Sequence, residues 1–168
     1  MFRPEDLIIY GSSGVCRVAE VGEPTGMSGD RDKLYYKLSP VYSTETIFTP
    51  VDTGVFMRPV ISRDEAEELV AQIPSIQSDA YSNGNLMRLR EHYDEILQTH
   101  SCKALVEMIK SIFTKNEGIT QNGKKLGQID QRYWKRAEEL LYGELAVALE
   151  IPRDDVVKYI ETANEPTQ

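Results

Sequence analysis

The chain has 168 residues, of which 40% are hydrophobic, so it can form packed cores and is not globally disordered. Its net charge of -8 and pI near 4.9 exclude a protein that simply coats nucleic acid. The charge is uneven: residues 85–136 carry 10 Lys and Arg against 6 Asp and Glu, whereas the segments on either side are acidic. The middle of the chain is therefore its only basic part.

The cysteines and the N-terminus bear on where the protein works. Cys16 and Cys102 are far apart and belong to no C-x-x-C motif, so we expect two buried thiols in a reducing compartment. Residues 1–6 lack the apolar core of a signal peptide. No apolar run approaches the roughly 18 residues that a membrane span requires. The expectation is a cytoplasmic protein without a membrane partner.

The first 60 residues contain aromatic and β-branched runs separated by Ser, Asp, Gly and Pro, which predict short antiparallel strands. A loop is expected at Gly22–Asp32. Five strands of this length suit a small half-open barrel with one free edge. The segment Thr46–Thr49 is either an ordinary inner strand or an edge to which a partner strand adds. The five runs are Leu7–Tyr10, Val15–Val21, Leu34–Leu38, Thr46–Val51 and Gly54–Arg58.

Helical patterns replace the strand patterns after residue 60. Ser62 and Glu65 form a predicted capping box that opens a helix ended by Pro74. The polar segment Ser75–Gly84 is the candidate linker, and a loop with Gly118 as a helix stop is expected at Asn116–Gly123. Apolar residues at helical spacing predict a bundle. Its helices are expected around Leu86–Leu97, Ala104–Phe113 and Gln128–Leu149, with a short one after Pro152.

No residue pattern predicts catalysis or metal binding. His92 and His100 are eight residues apart with a helix break beside the second, so both are expected to be solvated rather than ligands. The run Gly11–Gly14 is not a nucleophile motif, and no Ser/His/Asp set has supporting spacing. The sequence therefore predicts a non-enzyme with no cofactor, metal or small-molecule substrate.

One basic cluster stands out in the helical half. Arg132, Lys135 and Arg136 share a helix face, and Lys124 and Lys125 lie just before that helix. Such a cluster is either a solvated helix face or a patch that contacts phosphates without reading bases.

Four segments carry a resemblance to the CarD/CdnL family of bacterial transcription regulators, over nearly the whole chain. They are Asp6–Cys16, Tyr35–Leu38, Thr46–Val51 and Leu126–Leu149. The resemblance implies an α+β protein with a Tudor-like β-barrel that binds the RNA polymerase β subunit, as in the transcription-repair coupling factor. A helical domain would follow, contacting promoter DNA at the upstream edge of the melted bubble without sequence preference and stabilising the open complex. The implied division is 1–62 for the polymerase-binding domain, 63–84 for a helix and linker, and 85–168 for the DNA-contacting domain.

The resemblance also implies site residues, with two departures. Phe48 stands where better-known members carry an Arg, and Leu86, next to Met87, stands where they carry a Trp that wedges into the minor groove. The sole Trp, Trp134, is expected to pack in the bundle. An alternative is therefore an adaptor that binds polymerase but lacks DNA wedging. The implied polymerase-binding residues are Thr46, Ile47, Phe48 and Thr49, and the DNA-binding residues are Leu86, Met87, Arg88, Arg90, Lys124, Lys125, Arg132 and Arg136.

Overall fold

A computed structural model describes residues 1–22 and 34–165. The loop predicted for Gly22–Asp32 lies, apart from Gly22, outside the described residues. The chain divides into two compact units, Met1–Val60 and Ile61–Gln168. Five strands form the first unit and five helices the second, so the predicted α+β layout is confirmed. The elements are β1 (Leu7–Tyr10), β2 (Gly14–Gly22), β3 (Tyr35–Pro40), β4 (Ile47–Pro50), β5 (Met57–Pro59), α1 (Arg63–Gln72), α2 (Leu86–Leu97), α3 (Cys102–Gln121), α4 (Gln128–Leu149) and α5 (Val156–Ala163).

The first unit is a single antiparallel sheet with strand order β4-β3-β2-β1-β5. The side chains of β3 alternate between the two faces of the sheet, so that Tyr36 and Leu38 are buried while Tyr35 and Lys37 are partly exposed. Tyr36 and Leu38 pack with Ile8, Cys16 and Val18 in one apolar cluster. The sheet therefore has one buried face, and β4 and β5 are its two edge strands.

The helical unit is organised around α4, which contacts each of the other four helices. Its apolar stripe includes Leu141, Leu145 and Leu149, all buried, against which Ile112 of α3 and Val156 of α5 pack. Packing against this wide apolar face stabilises each helix, so none of them has to be stable in isolation.

Two helix termini test the local predictions. At α1, the Ser62 side chain accepts from the Glu65 N–H and the Glu65 carboxylate accepts from the Ser62 N–H, so the capping box is confirmed. At the C-terminus of α3 the prediction of a loop from Asn116 was wrong, because the helix continues to Gln121. The chain turns at Gly123 instead, where φ is 73°. Ile119 packs against the core, and this contact stabilises the last turns of α3.

The segment 75–84, which the sequence assigned to a linker, lies within the helical unit. Ile76 is buried, and its carbonyl accepts from the Lys110 ammonium at 2.6 Å. The Ser111 hydroxyl donates to the carbonyl of Asp79 at 2.7 Å. These contacts fasten the segment along α3, and the boundary between the units falls between Val60 and Ile61.

Candidate functional site

The edge strand β4 is the first candidate surface. It pairs with β3 through Ile47–Leu38, Phe48–Lys37 and Thr49–Tyr36. The Val51 N–H donates to the Leu34 carbonyl at 3.0 Å. Because hydrogen-bonded and non-hydrogen-bonded pairs alternate in an antiparallel ladder, the N–H and C=O of Phe48 point away from β3. Thr46 is the next position of the same alternation.

The side chains of β4 divide between the two faces of the sheet. Thr49 is buried, and its hydroxyl accepts from the Tyr10 hydroxyl at 3.1 Å. Phe48 is on the opposite face, 47% exposed and across from Lys37. Lys37 in turn lies 3.8 Å from the Glu20 carboxylate. The edge thus combines outward backbone groups with an exposed aromatic ring, which is the composition of a strand-addition surface.

The second edge strand, β5, is built differently. Met57 and Pro59 occupy non-hydrogen-bonded positions opposite β1, so their backbone groups point away from the sheet. Proline has no N–H, and the Pro59 carbonyl accepts from the Arg58 guanidinium at 2.9 Å. A short strand with proline and a charged side chain at its edge discourages pairing. Pro50 of β4 is also an outward proline, so the two edges differ mainly in the exposed ring of Phe48 on β4 and the Arg58 contact on β5.

In the helical unit, the start of α2 displays the residues predicted as a DNA wedge. Leu86 and Met87 are 57% and 67% exposed. The Asn85 side chain accepts from the N–H groups of Met87 and Arg88 and so caps the helix. Arg88 lines a polar groove with Glu91 and other residues of α2. The structure thus brings Leu86, Met87 and Arg88 together on one exposed helix terminus.

Arg90 and Arg132 are brought together from different helices. Tyr133 of α4 donates to the Asp94 carboxylate of α2 at 2.6 Å. Burial, followed by this hydrogen bond, raises the pKa of Tyr133 to about 12, while Arg90 and Arg132 act on the same hydroxyl in the opposite sense. Both guanidinium groups therefore act electrostatically on Tyr133, whose hydroxyl joins α4 to α2.

The remaining predicted DNA-binding residues form a less uniform group. The Arg136 guanidinium lies 3.6 Å from the Glu139 carboxylate, so its charge is partly balanced by an acid of the same helix. Lys124 follows the end of α3, where its N–H donates to the Ile119 carbonyl. Lys125 lines a cleft beside α4 together with Lys135, a residue outside the predicted set. Arg88 and Lys125 line different cavities, so the predicted set is spread over the unit rather than gathered in one patch.

His92, for which the sequence predicts a solvated side chain, is partly exposed in the structure. Its ring stacks on Tyr81 with centroids 3.7 Å apart, and burial lowers its pKa below the usual value. Within the described residues, no group of three or more His, Cys, Asp or Glu side chains is placed to hold a metal ion. Likewise, none of the helices in that part of the chain combines the length and apolar character of a bilayer span.

The first unit is thus a five-stranded antiparallel sheet with two edge strands, one of which carries the exposed ring of Phe48. Residues 2–61 match the model of the CarD-like/TRCF RID domain. The first unit is therefore similar to the CarD-like/TRCF RID domain, a Tudor-like domain whose family is non-enzymatic and interacts with RNA polymerase. The match confirms the resemblance proposed from the sequence, and it does not extend over the helical unit. No curated protein gives a significant match.

Proposed function

We propose that the protein is a bacterial transcription regulator that binds the RNA polymerase β subunit through β4 and contacts promoter DNA through its helical unit. The DNA contact lies near the upstream edge of the melted bubble and modulates open-complex stability. The observation that carries the proposal is the β4 edge, with the outward backbone groups of Phe48 and its exposed ring, in a domain of the RID family. Strand addition gives affinity through the backbone and specificity through alternate side chains.

The polymerase contact is tested by two substitutions of Phe48. Phe48→Pro removes an N–H that points away from β3, so it spares the β3–β4 hydrogen bonds while blocking an added strand. Phe48→Asp replaces the exposed ring with a charge. We expect both to reduce recovery of the chain in a pull-down with the isolated β lobe by at least about tenfold, as loss of about 1.4 kcal/mol predicts.

The matched control is Phe56→Asp. Phe56 is another exposed aromatic residue of the same unit, 42% exposed, just before β5 at the opposite edge. The Phe56→Asp variant should bind the isolated β lobe as the wild type does. Equal recovery of the wild type and both Phe48 variants would remove β4 as the docking strand.

Support for the DNA contact comes from exposed cations and apolar side chains on α2 and around α4. Leu and Met are among the side chains that proteins insert between base steps from the minor groove. Cations outside the bubble contact the backbone without reading sequence, and their contribution falls with salt. We expect reversal of Lys124, Lys125 and Arg132 to Glu to shorten open-complex lifetime on purified polymerase by several-fold.

The control for this measurement is reversal of Lys103 and Lys158, exposed cations outside the predicted set. Open-complex lifetime that is unchanged by the first triple variant, or equally shortened by the control, would argue against the DNA contact. Polymerase binding by the triple variant should remain at the wild-type level because β4 is untouched.

A second candidate function is an adaptor that binds polymerase without wedging DNA. It is favoured by Leu86, which offers less stacking surface than the Trp of better-known relatives, and by the net charge of -8. Binding to a forked promoter fragment separates the two functions. A regulator binds with affinity that falls steeply as salt rises, whereas an adaptor shows no such binding.

A further inference from the structure

A cleft of about 780 Å³ lies in the helical unit beside α4, between the last turns of α3 and the start of α5. This volume is within the range of small-molecule sites. Trp134 and Glu138 line it from successive turns of α4, Leu126 is a buried apolar part of its wall, and Lys125 and Lys135 are cations of its lining.

The aromatic and acidic groups of the cleft lie on one face of α4. Trp134, Glu138 and Tyr142 are spaced at i, i+4 and i+8, which stacks them along the helix. The Trp134 ring is half-buried and has Phe113 against it edge to face, with centroids 6.4 Å apart. This contact fixes the indole while leaving part of it in the cleft. A ring held in this way is a platform on which a planar ligand can stack.

The Glu138 carboxylate is the polar group beside that platform. It accepts a hydrogen bond from Tyr142, and in the described part of the chain it has no cationic partner within salt-bridge distance. Glu138 is partly buried, and this burial raises its pKa. A carboxylate in this condition gains from a ligand that donates N–H groups.

Two lysines also line the cleft. Lys125 precedes α4 and Lys135 lies about two turns inside it, and both are exposed with no ion pair in the described residues. Of the other acids of the cleft, Glu139 lies 3.6 Å from the Arg136 guanidinium. The two lysines without an ion pair are therefore available to an anionic group of a ligand.

We propose that this cleft binds an unstacked nucleotide. The base stacks on Trp134, an exocyclic amine donates to Glu138, and the phosphate lies between Lys125 and Lys135. A base inside a duplex has both faces covered, so the ligand is either a nucleotide of a melted strand or a free nucleotide. The inference needs no polymerase, and its failure would leave the proposed polymerase contact of β4 unaffected.

Trp134 is the only tryptophan of the chain, so its fluorescence reports directly on stacking in the cleft. The experiment titrates the full-length protein with CMP, UMP, cytidine, and single-stranded oligo-dC and oligo-dT. We expect saturable quenching, with CMP bound roughly tenfold more tightly than UMP because only cytosine offers an exocyclic amine to the carboxylate. The same preference should hold for oligo-dC over oligo-dT.

Variants separate the three parts of the site. Lys125→Ala with Lys135→Ala should weaken CMP binding by about tenfold while cytidine, which lacks the phosphate, binds as before. Glu138→Ala should remove the preference for CMP over UMP. The matched control is Lys103→Ala with Lys158→Ala, two exposed lysines outside the cleft, which should leave every titration unchanged. Far-UV circular dichroism checks that each variant is folded.

Two comparisons complete the design. Tighter binding of oligo-dC than of CMP by about tenfold or more assigns the site to a melted strand, and equal or weaker binding assigns it to a free nucleotide. No quenching of the wild type at about 5 mM ligand overturns the proposal, because binding weaker than this is below any useful affinity. Quenching that the Lys125/Lys135 variant leaves unchanged overturns it as well.

Discussion

Asp130 is a buried acid of the helical unit that carries an ion pair. Its carboxylate lies 2.9 Å from the Lys115 ammonium and also accepts a hydrogen bond from the Tyr93 hydroxyl. The two charged side chains are only 11% and 5% exposed, and Tyr93 is fully buried. The group joins α2, α3 and α4 at one point, so its geometry fixes how these helices meet.

We expect Asp130→Ala to lower the free energy of unfolding by about 3–5 kcal/mol. The substitution leaves the Lys115 ammonium buried without its counter-charge, which is the costly way to break a buried pair. Urea denaturation followed by Trp134 fluorescence measures the change. Glu117→Ala, an exposed acid of α3, should stay within about 0.5 kcal/mol of the wild type. A loss below about 1 kcal/mol for Asp130→Ala would show that the pair is solvated in solution.

A second buried carboxylate, Glu144, lies where the helical unit begins. It accepts from the Ile61 N–H at 3.0 Å and from the Cys102 thiol at 3.2 Å. A charged residue in the middle of an apolar stripe is unusual, since Glu is almost never fully buried without partners. Here it fixes the first residue of the unit and the first residue of α3 against α4.

Among the elements, α1 shows most directly how a short sequence sets a boundary. Its capping box satisfies two backbone donors that the helix itself leaves unpaired. Ala66, Leu69 and Val70 of the same helix are buried in the unit core. The cap therefore fixes where the helix begins, and the apolar stripe fixes which face it buries.

Ser62→Ala should destabilise the helical unit by about 1 kcal/mol, because alanine cannot accept from the Glu65 N–H at the N-cap. The measurement is again urea denaturation with Trp134 as the reporter. Ser82→Ala is the control, since Ser82 is exposed and precedes α2 outside any helix. If both substitutions had the same effect, the cap would not contribute to the stability of the folded chain.

Features encoded locally were predictable from the sequence, whereas contacts between distant residues were not. The span of α4 and the capping box followed from hydrophobic spacing and from two residues three apart. The end of α3 was missed because Gly118 resembles a helix stop, and only the packing of Ile119 on the core shows that the helix continues.

The same limit applies to the candidate sites. Alternation and turn residues pointed to Thr46–Thr49 as a strand, but its position at the sheet edge depends on the pairing of β1 with β5, far along the chain. The cleft beside α4 brings together Lys125, which precedes that helix, Trp134 within it and Val157 of α5. No sequence spacing encodes a meeting of that kind.

At the scale of the whole molecule, each unit has its own apolar core. Leu38 is buried in the core of the sheet and Leu145 in the core of the helical bundle. A cavity in one core removes packing from the unit that contains it. The sole tryptophan belongs to the helical unit, so its fluorescence follows the unfolding of that unit alone.

We therefore expect Leu145→Ala to shift the Trp134 unfolding transition by about 2–5 kcal/mol. Leu38→Ala should lower the stability of the sheet by a similar amount, seen by circular dichroism, and leave the Trp134 transition in place. The two substitutions are controls for each other, as both remove the same atoms from fully buried sites. Equal shifts of the Trp134 transition would mean that the chain unfolds as one cooperative body.

The unequal edges of the sheet bear on stoichiometry. A sheet that accepts strands on both sides behaves as a bifunctional monomer, and its copies can polymerise without limit. In this chain the Arg58 guanidinium donates to the outward Pro59 carbonyl on the β5 side, whereas the β4 side carries the exposed ring of Phe48. For the docking through β4 proposed above, we therefore expect one partner strand per domain and one-to-one complexes rather than fibres.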